Sequence, residues 1–455
     1  MHTLNTLVAD LRNQVSCSVI APGDAEYDAA RLLFYGGVDR RPAAIVRCAN
    51  AHDVAQAILF ARTNTLPLAV RSGGHSIAGH SVCEGGVVVD LSAMRRLDID
   101  PATKTAWADA GVRAGDLAAA ASPHGLAIGF GDAGTVGVGG ITVGGGVGFL
   151  SRKHGLTIDS LLAAEVVTAD GQIRHVDASS DPDLFWAIRG GGGNFGVVTK
   201  FHFQLHDVPS VVGGILMLPA TADVIVEFAR LAAAAPNELS TIANVMTAPP
   251  MPFIPAEHHG KLIVMAFMCY AGDTAAGERV IAPFRALATP LADMVKPIPY
   301  AQMFPPEQPG YHPIASVRTL FADGIDAPKA ARILDAIKAS TAMMAAVQFR
   351  VLGGAIAGVA NDATAYGFRH QPMMVNVAAM YTNVADAPTH DAWIAGVLKI
   401  LEPQDRSAYV NFIGAEGDAR VRDAYPAGTW ERLRAIKRKF DPENIFRLNQ
   451  NIPPA

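Results

Sequence analysis

The sequence predicts an α+β fold in three parts. Three observations carry that reading. Short apolar runs in the first 208 residues are punctuated by clusters of glycine. Beyond residue 208 the clusters stop, and longer helical patterns alternate with strands. The last fifty or so residues turn polar again around a basic helix expected at 429–439. The boundaries expected are 1–208, 209–405 and 406–455, with the last segment returning to the first.

In the first part, 43–47 reads as a strand. Residues 52–65 read as a helix, because Val54, Ala57, Ile58 and Ala61 recur at helical spacing. A second strand, 66–70, runs directly into Arg71-Ser-Gly-Gly-His75, and 86–91 is a third. Residues 97–110 form a hairpin around Pro101 and Ala102. A clearer hairpin spans 165–176, because Asp170-Gly171 tolerates the positive φ of a tight turn. Residues 197–205 alternate, with Val197, Thr199, Phe201, Phe203 and Leu205 on one face. In the second part, helices are expected at 222–235, 327–346 and 390–401. Strands are expected at 261–270, 346–352 and 375–381, and proline-rich loops at 248–255 and 304–313. Residues 1–15 read as a short helix, since Asp10 and Arg12 interrupt the apolar core that a signal peptide needs.

Composition narrows the function classes. Half of the 455 residues are hydrophobic, which excludes a disordered chain. Lys plus Arg number 37 against 42 Asp plus Glu, a net charge of −5, so no nucleic-acid partner is expected. No uncharged apolar run is long enough for a membrane span, and none is expected. Cys17, Cys48, Cys83 and Cys269 stand apart without a C-x-x-C pair, which excludes a zinc ribbon. Scattered thiols fit a reducing compartment, and the expected location is the cytoplasm. No HExxH or comparable cluster occurs, so no metal is expected, and the G-x-S-x-G of a serine hydrolase is absent.

The glycine clusters are 71–76 (RSGGHS), 129–148 (GFGDAGTVGVGGITVGGGVG) and 190–196 (GGGGNFG). Glycine lets backbone N–H groups approach a phosphate closely, so three such loops point to a large nucleotide wrapped by main chain. One cluster alone would be only a tight turn. Residues 191–196 fit G-x-G-x-x-G literally, but a helix precedes them and a strand follows. That is the reverse of the Rossmann order, which argues against NAD. No P-loop lysine follows any cluster, which argues against an NTPase.

Three stretches, RSGGHSIAGHS, GDAGTVGVGGITVGGGVGFLSRKHGLTIDSLLAAEVVTADG and LFWAIRGGGGNFGVVTKFHFQL, resemble the berberine bridge enzyme-like FAD-linked oxidases of the vanillyl-alcohol oxidase superfamily. The tail YVNF…YPAGTWERLRAIKRKFDPENIFRLNQNIPP resembles that family's C-terminal signature. The resemblance implies a two-part PCMH-type FAD-binding domain, its core at about 40–208. It also implies a substrate domain whose antiparallel sheet is covered by helices.

By the same resemblance FAD is the cofactor, joined covalently to His75. Neutral imidazole suits the role, being a nucleophile near pH 7. Many family members add a second link from a cysteine; Ala133 stands at its place here, so one bond is expected. Val136 stands beside the flavin's oxygen-reactive carbon, where a small residue goes with oxidases. The other implied cofactor residues are Arg71, Ser72, Gly73, Gly74, Ser76, Gly137, Gly139, Gly140, Gly146, Gly148, Asp159, Gly193, Asn194, Gly196, Val197, Val198, Asn411, Asn449 and Asn451. The glutamate base of plant members is absent, Gly358 standing at about its place. Tyr409 matches a tyrosine that takes the substrate proton in bacterial members.

Gln348 and Arg350 lie two apart on an expected strand and so face one side, where Arg350 could meet an anionic group or lie on the surface. Met343, Met344, Phe349, Met373 and Met374 read as core or as an apolar pocket lining. Arg432 and Lys437 read as a solvated helix face. The expected activity is oxidation of a small organic molecule, an alcohol, sugar, phenol or amine, with O2 as acceptor. A dehydrogenase with another acceptor and a non-catalytic flavin scaffold stay open as alternatives.

Overall fold

A computed structural model describes residues 4–250, 254–401 and 406–455. Two sheets fill the first 208 residues. In the first, the strand order is Ser18–Ile20, Ala44–Arg47, Val87–Asp90, Leu68–Arg71. The outer pair Ser18–Ile20 and Ala44–Arg47 is antiparallel, and the remaining neighbours are parallel. Parallel neighbours need a crossover, here the helix Ala51–Thr63. Asn50 caps that helix, its side chain accepting from the backbone N–H groups of His52 and Asp53.

The second sheet is antiparallel, in the order Leu97–Asp100, Thr105–Asp109, Val197–Gln204, Leu161–Val167, Ile173–Asp177. Both expected hairpins are present, and Gly171 turns the second at φ +76°. Val197, Thr199, Phe201 and Phe203 are buried, whereas Lys200, His202 and Gln204 between them are half-buried. An N-terminal helix, Leu4–Gln14, packs on the same core.

The third sheet is the largest, with eight strands. Its central order is Val211–Pro219, Leu262–Tyr270, Leu239–Thr247, Met344–Val351, Met373–Tyr381, Ile314–Ala322, all antiparallel. Helices Ala222–Ala234, Thr274–Arg285, Ala327–Lys338 and Ala387–Leu401 supply Phe228, Ile281, Ile333 and Val397 to a core on one face. Val347, Phe349, Val375 and Val377 point into that core. Their alternates Gln348, Arg350, Met374 and Asn376 face the other way, toward the glycine-rich half.

One expectation fails here, and one reading left open is decided. The helix expected at 327–346 ends at Lys338, and Met344 already begins a strand. Ser340 and Thr341 break it: the Ser340 hydroxyl takes the Ala342 N–H in a local turn that competes with the helix. The five apolar residues considered as a pocket lining do not form one. Met343 is exposed, Phe349 and Met373 lie under the helices, and Met344 and Met374 belong to two other clusters. The proline-rich loop expected at 248–255 lies outside the described residues at 251–253, as do residues 402–405 before the expected boundary.

The C-terminal helix Ala427–Phe440 places Leu433, Ile436 and Phe440 in the core of the first half, together with Phe446 and Ile452. The reading of Lys437 as solvated is overturned: its side chain has no exposure. Its ammonium donates to Asp441 at 2.6 Å, to the Asn194 carbonyl at 2.8 Å and to the Phe446 carbonyl at 2.9 Å. Three acceptors fill its three donors, which is what burying a charge demands. Arg432 is partly exposed, pairing with Asp183 at 3.0 Å and lying over the Trp186 ring.

Candidate active site

The glycine loops touch through bare backbone. A Cβ on Gly73 would lie 2.2 Å from the Gly137 nitrogen, and a Cβ on Gly137 would lie 2.1 Å from Ser72 Oγ. No other residue type allows that approach. Ser72 Oγ donates to the Ala110 carbonyl at 2.6 Å, and Gly139 packs on both. Gly74 turns the loop at φ +70°, and Ser76 Oγ accepts from the His80 N–H. Arg71 sends its side chain elsewhere: its guanidinium donates to Asp90 at 2.7 Å and to the Ala30 carbonyl at 2.6 Å. Only its main chain belongs to the loop.

His75 follows the loop, half-buried. Its ring stacks on Phe34 at 4.1 Å between centroids, 16° from parallel. Its Nε2 lies 3.0 Å from Thr135 Oγ1. Burial first, then the charge of Arg113, brings the imidazole pKa down to about 4, so it is neutral at pH 7. Ala133, Thr135 and Val136 stand on the facing turn, where the Val136 N–H donates to the Ala133 carbonyl and the Val136 carbonyl accepts from the Ala114 N–H. Gly146 and Gly148 pack closely, against Thr157 and the Phe130 carbonyl. Asp159 is likewise engaged: it caps Leu156 and pairs with the fully buried Arg369 at 2.7 and 3.0 Å.

The large sheet presents a polar face to these loops. Asn244, Gln348 and Asn376 sit opposite one another on three adjacent strands. Gln348 donates to Asn244 Oδ1 at 2.9 Å and accepts from Asn376 at 3.1 Å and from Arg350 Nε at 2.7 Å. Arg350 also reaches across to Asp132, Nη2 to Oδ2 at 2.7 Å, and lies over the Phe412 ring at 5.1 Å. Its Nη1 and the Oδ1 of Asn376 are buried with no hydrogen-bond partner among the described residues.

Tyr409, fully buried, stands edge-on to Tyr366 and Phe412. Its oxygen accepts from the Gly146 N–H at 2.9 Å and from Asn411 Nδ2 at 2.8 Å. Burial raises its pKa above the usual tyrosine value, against the pull of those two donors and of Arg350. Tyr35, near Asp132, is pushed up to about 12, mainly by burial.

The third loop is held by the tail. Asn194 donates to the Gly191 and Gln450 carbonyls and accepts from the Ile452 N–H at 2.9 Å. Asn449 Nδ2 donates to the Gly193 carbonyl at 3.1 Å. Gly196, at φ +155°, leads into Val197 and Val198, both buried. The Oδ1 atoms of Asn449 and Asn451 are buried with no partner among the described residues.

Sequence reasoning missed Phe34, Arg369, Asn244 and Asn376, which belong to no glycine motif. Asp132 lies inside one, next to Ala133, and its acidic side chain in a glycine run was the available signal.

The glycine loops facing a polar sheet give the layout a bound nucleotide cofactor and a polar substrate would need, and comparison with known proteins makes the class a flavin-dependent oxidoreductase. A family model described as "FAD binding domain" matches residues 42–177, and one described as "Berberine and berberine like" matches 408–453. The FAD-linked oxidoreductase YvdP of Bacillus subtilis (strain 168), itself uncharacterized, is 32% identical over 454 residues, covering 97% of this chain and 99% of that one. The (R)-6-hydroxynicotine oxidase of Paenarthrobacter nicotinovorans is 31% identical over 451 residues, 96% of each chain. The solved structure of 6-hydroxy-D-nicotine oxidase from Arthrobacter nicotinovorans superposes with a TM-score of 0.85 at 26% identity, over 97% of this chain and 98% of that one. BBE-like 1 of Physcomitrella patens gives 0.86 at 25% identity, over 100% of this chain and 99% of that one. The chain belongs to the berberine bridge enzyme-like FAD-linked oxidoreductases. It is an FAD-dependent enzyme.

The residues present fit the flavin. The unpartnered acceptors of Asn449 and Asn451 suit its N–H or ribityl hydroxyl donors. A Cβ on Gly140 would meet nothing within 4 Å, and one on Gly193 only the Asn449 amide at 4.0 Å, so open space lies along both loops. Among the described residues no helix is long and apolar enough to cross a membrane.

Proposed function

We propose that this enzyme is an oxidase of a small organic molecule, carrying FAD on a single covalent bond to His75 and passing electrons to O2. The Arg350–Asp132 bridge carries the reading. It joins the polar face of the sheet to the loop beside His75, so that substrate and flavin meet between them. In domain terms, 1–208 and the returning segment 406–455 hold the flavin, and 209–405 hold the substrate. The expected location is the cytoplasm.

FAD, when bound, accepts a hydride from the substrate carbon. The chain's residues do the rest. The neutral His75 has one ring nitrogen with a lone pair for attachment, and Thr135 lies within hydrogen-bond distance of its Nε2. Ala133 offers no second nucleophile. Main chain at 72–76 and 137–140 holds the diphosphate and ring side, and Asn449 and Asn451 accept from the flavin. Val136, a small side chain, leaves room for O2.

Gln348, Arg350 and Asn376 orient the substrate, whose oxygen or nitrogen meets Arg350 Nη1 and Asn376 Oδ1. Tyr409 is a proton-carrying group close enough to this face to feel the Arg350 charge. Burial keeps its phenol protonated at neutral pH, so it serves as base only in its ionised form, toward alkaline pH, and only for a substrate that must lose a hydroxyl proton. A neutral amine needs no such base. The relative whose name specifies a hydroxylated nicotine places an amine among the first substrates to try.

The test is acid precipitation of the purified yellow protein, comparing wild type with His75→Ala. Flavin fluorescence retained on the denatured wild-type chain and released from the variant supports the linkage; release from both overturns it. Peroxide produced on turnover supports the oxidase reading, and turnover that needs a quinone or dye overturns it. If Tyr409 is the base, kcat/KM rises toward alkaline pH and Tyr409→Phe abolishes the rise; an unchanged profile assigns Tyr409 to positioning.

A further inference from the structure

Cys17 and Cys48 lie outside the site, and nothing in the proposed chemistry uses them. Their placement is set by strand register. Ser18 pairs with Arg47, Val19 with Val46 and Ile20 with Ile45 in the antiparallel pair at the sheet edge. One step further sets Cys17 opposite Cys48. Opposite residues on antiparallel strands share a face, with Cα atoms roughly 4.5–5.5 Å apart. A disulfide spans Cα separations of about 4.4–6.8 Å. Both side chains pack on one core, Cys48 inside it and Cys17 at its partly exposed rim. The Cys48 thiol donates to the Val46 carbonyl at 3.5 Å. The neighbouring Cys48 holds the Cys17 thiol below its ordinary pKa, against burial and the nearby Asp53 carboxylate. Cys83 and Cys269 are both buried, with burial pushing their thiols up to about 11 and about 12.

We propose that Cys17 and Cys48 are a redox modification site, an attacking and a resolving thiol that close to a cross-strand disulfide under peroxide. The Cys17 sulfur attacks the peroxide O–O bond, forming a sulfenic acid and releasing one water. The Cys48 sulfur then displaces the hydroxyl, forming the S–S bond and releasing a second water. Two thiols lose two electrons and two protons, and one peroxide becomes two waters. The loop so closed, 17–48, carries Phe34 on its far side, stacked on His75. Leu33 in the same loop accepts from His312 of the large-sheet half at 2.7 Å. The disulfide therefore ties the base of the segment that backs the flavin-bearing histidine. It also staples the N-terminal helix and strand to the sheet.

The test uses the full-length flavoprotein and added hydrogen peroxide, so it stands apart from any peroxide made in turnover. After alkylation, non-reducing peptide maps should show the Cys17 and Cys48 peptides joined, with a mass about 2 Da below their sum. Thiols counted in denaturant should fall from the four of the reduced chain to two, and dithiothreitol should restore them. The unfolding midpoint should rise on oxidation. Cys17→Ser should keep its remaining thiols, and Cys48→Ala should instead trap a sulfenic acid at Cys17, read by dimedone labelling. A wild-type thiol count that stays at four overturns the proposal. So does overoxidation of Cys17 without a link, or loss of thiols in Cys17→Ser.

Discussion

The two walls of the cleft are built from different parts of the chain. On the side assigned to flavin, the fixed surface is main chain: Gly73 against Gly137, with no room for a Cβ on either. On the side assigned to substrate, the fixed surface is side chain: Asn244, Gln348, Asn376 and Arg350 standing on regular strands. A wall of backbone can be altered only by moving the chain. A wall of side chains can be rewritten residue by residue while its strands keep their hydrogen bonds. The first suits a cofactor that stays the same, and the second a substrate that differs between relatives.

If that contrast holds, substitutions on the two walls should fail in different ways. The largest effect is expected behind the flavin wall. Lys437→Met leaves the Asp441 carboxylate buried beside the Asn194 loop without its cation, a loss of roughly 3–5 kcal/mol. Urea unfolding reads it, and flavin content should fall with it. Gly137→Ala comes next: the methyl meets Ser72 Oγ and the Gly73 nitrogen, costing about 3 kcal/mol and the flavin absorbance. An alanine variant that is stable and yellow would break the comparison.

Arg350→Met tests the other wall. Flavin spectrum and stability should change little, because Asp132 is one-third exposed and finds water when the pair is lost. The expected loss is about 100-fold in kcat/KM, near 2.7 kcal/mol, measured with any substrate found by peroxide release. Loss of flavin with the activity would erase the distinction between the walls.

The smallest expected effect is in pH dependence, and it falls on the glycine-rich half. His80 and His154 are each held down to about 4, mainly by burial. The unfolded chain therefore binds protons first as pH falls through about 6.5. Stability is fully present above that value, declines between about 6.5 and 4, and levels below. His80→Gln should make the decline of Tm shallower over this window, and leave Tm at pH 8 nearly unchanged.

The same contrast explains what could be read from sequence. Gly73 and Gly137 stood out because close backbone approach demands glycine and glycine in clusters is visible, and His75 stood out at the end of such a cluster. The strand Val197–Gln204 and the hairpin turn at Asp170-Gly171 were legible for similar reasons, a strict period of two and a turn with a conformational requirement. Gln348 and Arg350 were placed correctly on one face of a strand, but their partners Asn244, Asn376 and Asp132 come from distant segments. Only strand register brings them together. Lys437 was misread because a basic helix gives no sign that three carbonyl and carboxylate acceptors close over one of its lysines. The helix expected across 327–346 erred at its end, where a single serine side chain outweighs helical periodicity.

Asn194 is clamped by residues 450–452, more than 250 positions downstream. A growing chain thus makes the first two glycine loops early, yet has no floor for the third until residue 452 has left the ribosome. On the proposed site, flavin loading therefore waits for residue 452. A fusion or truncation just beyond the asparagines of the tail would be felt first as pale protein, well before any loss of the sheets.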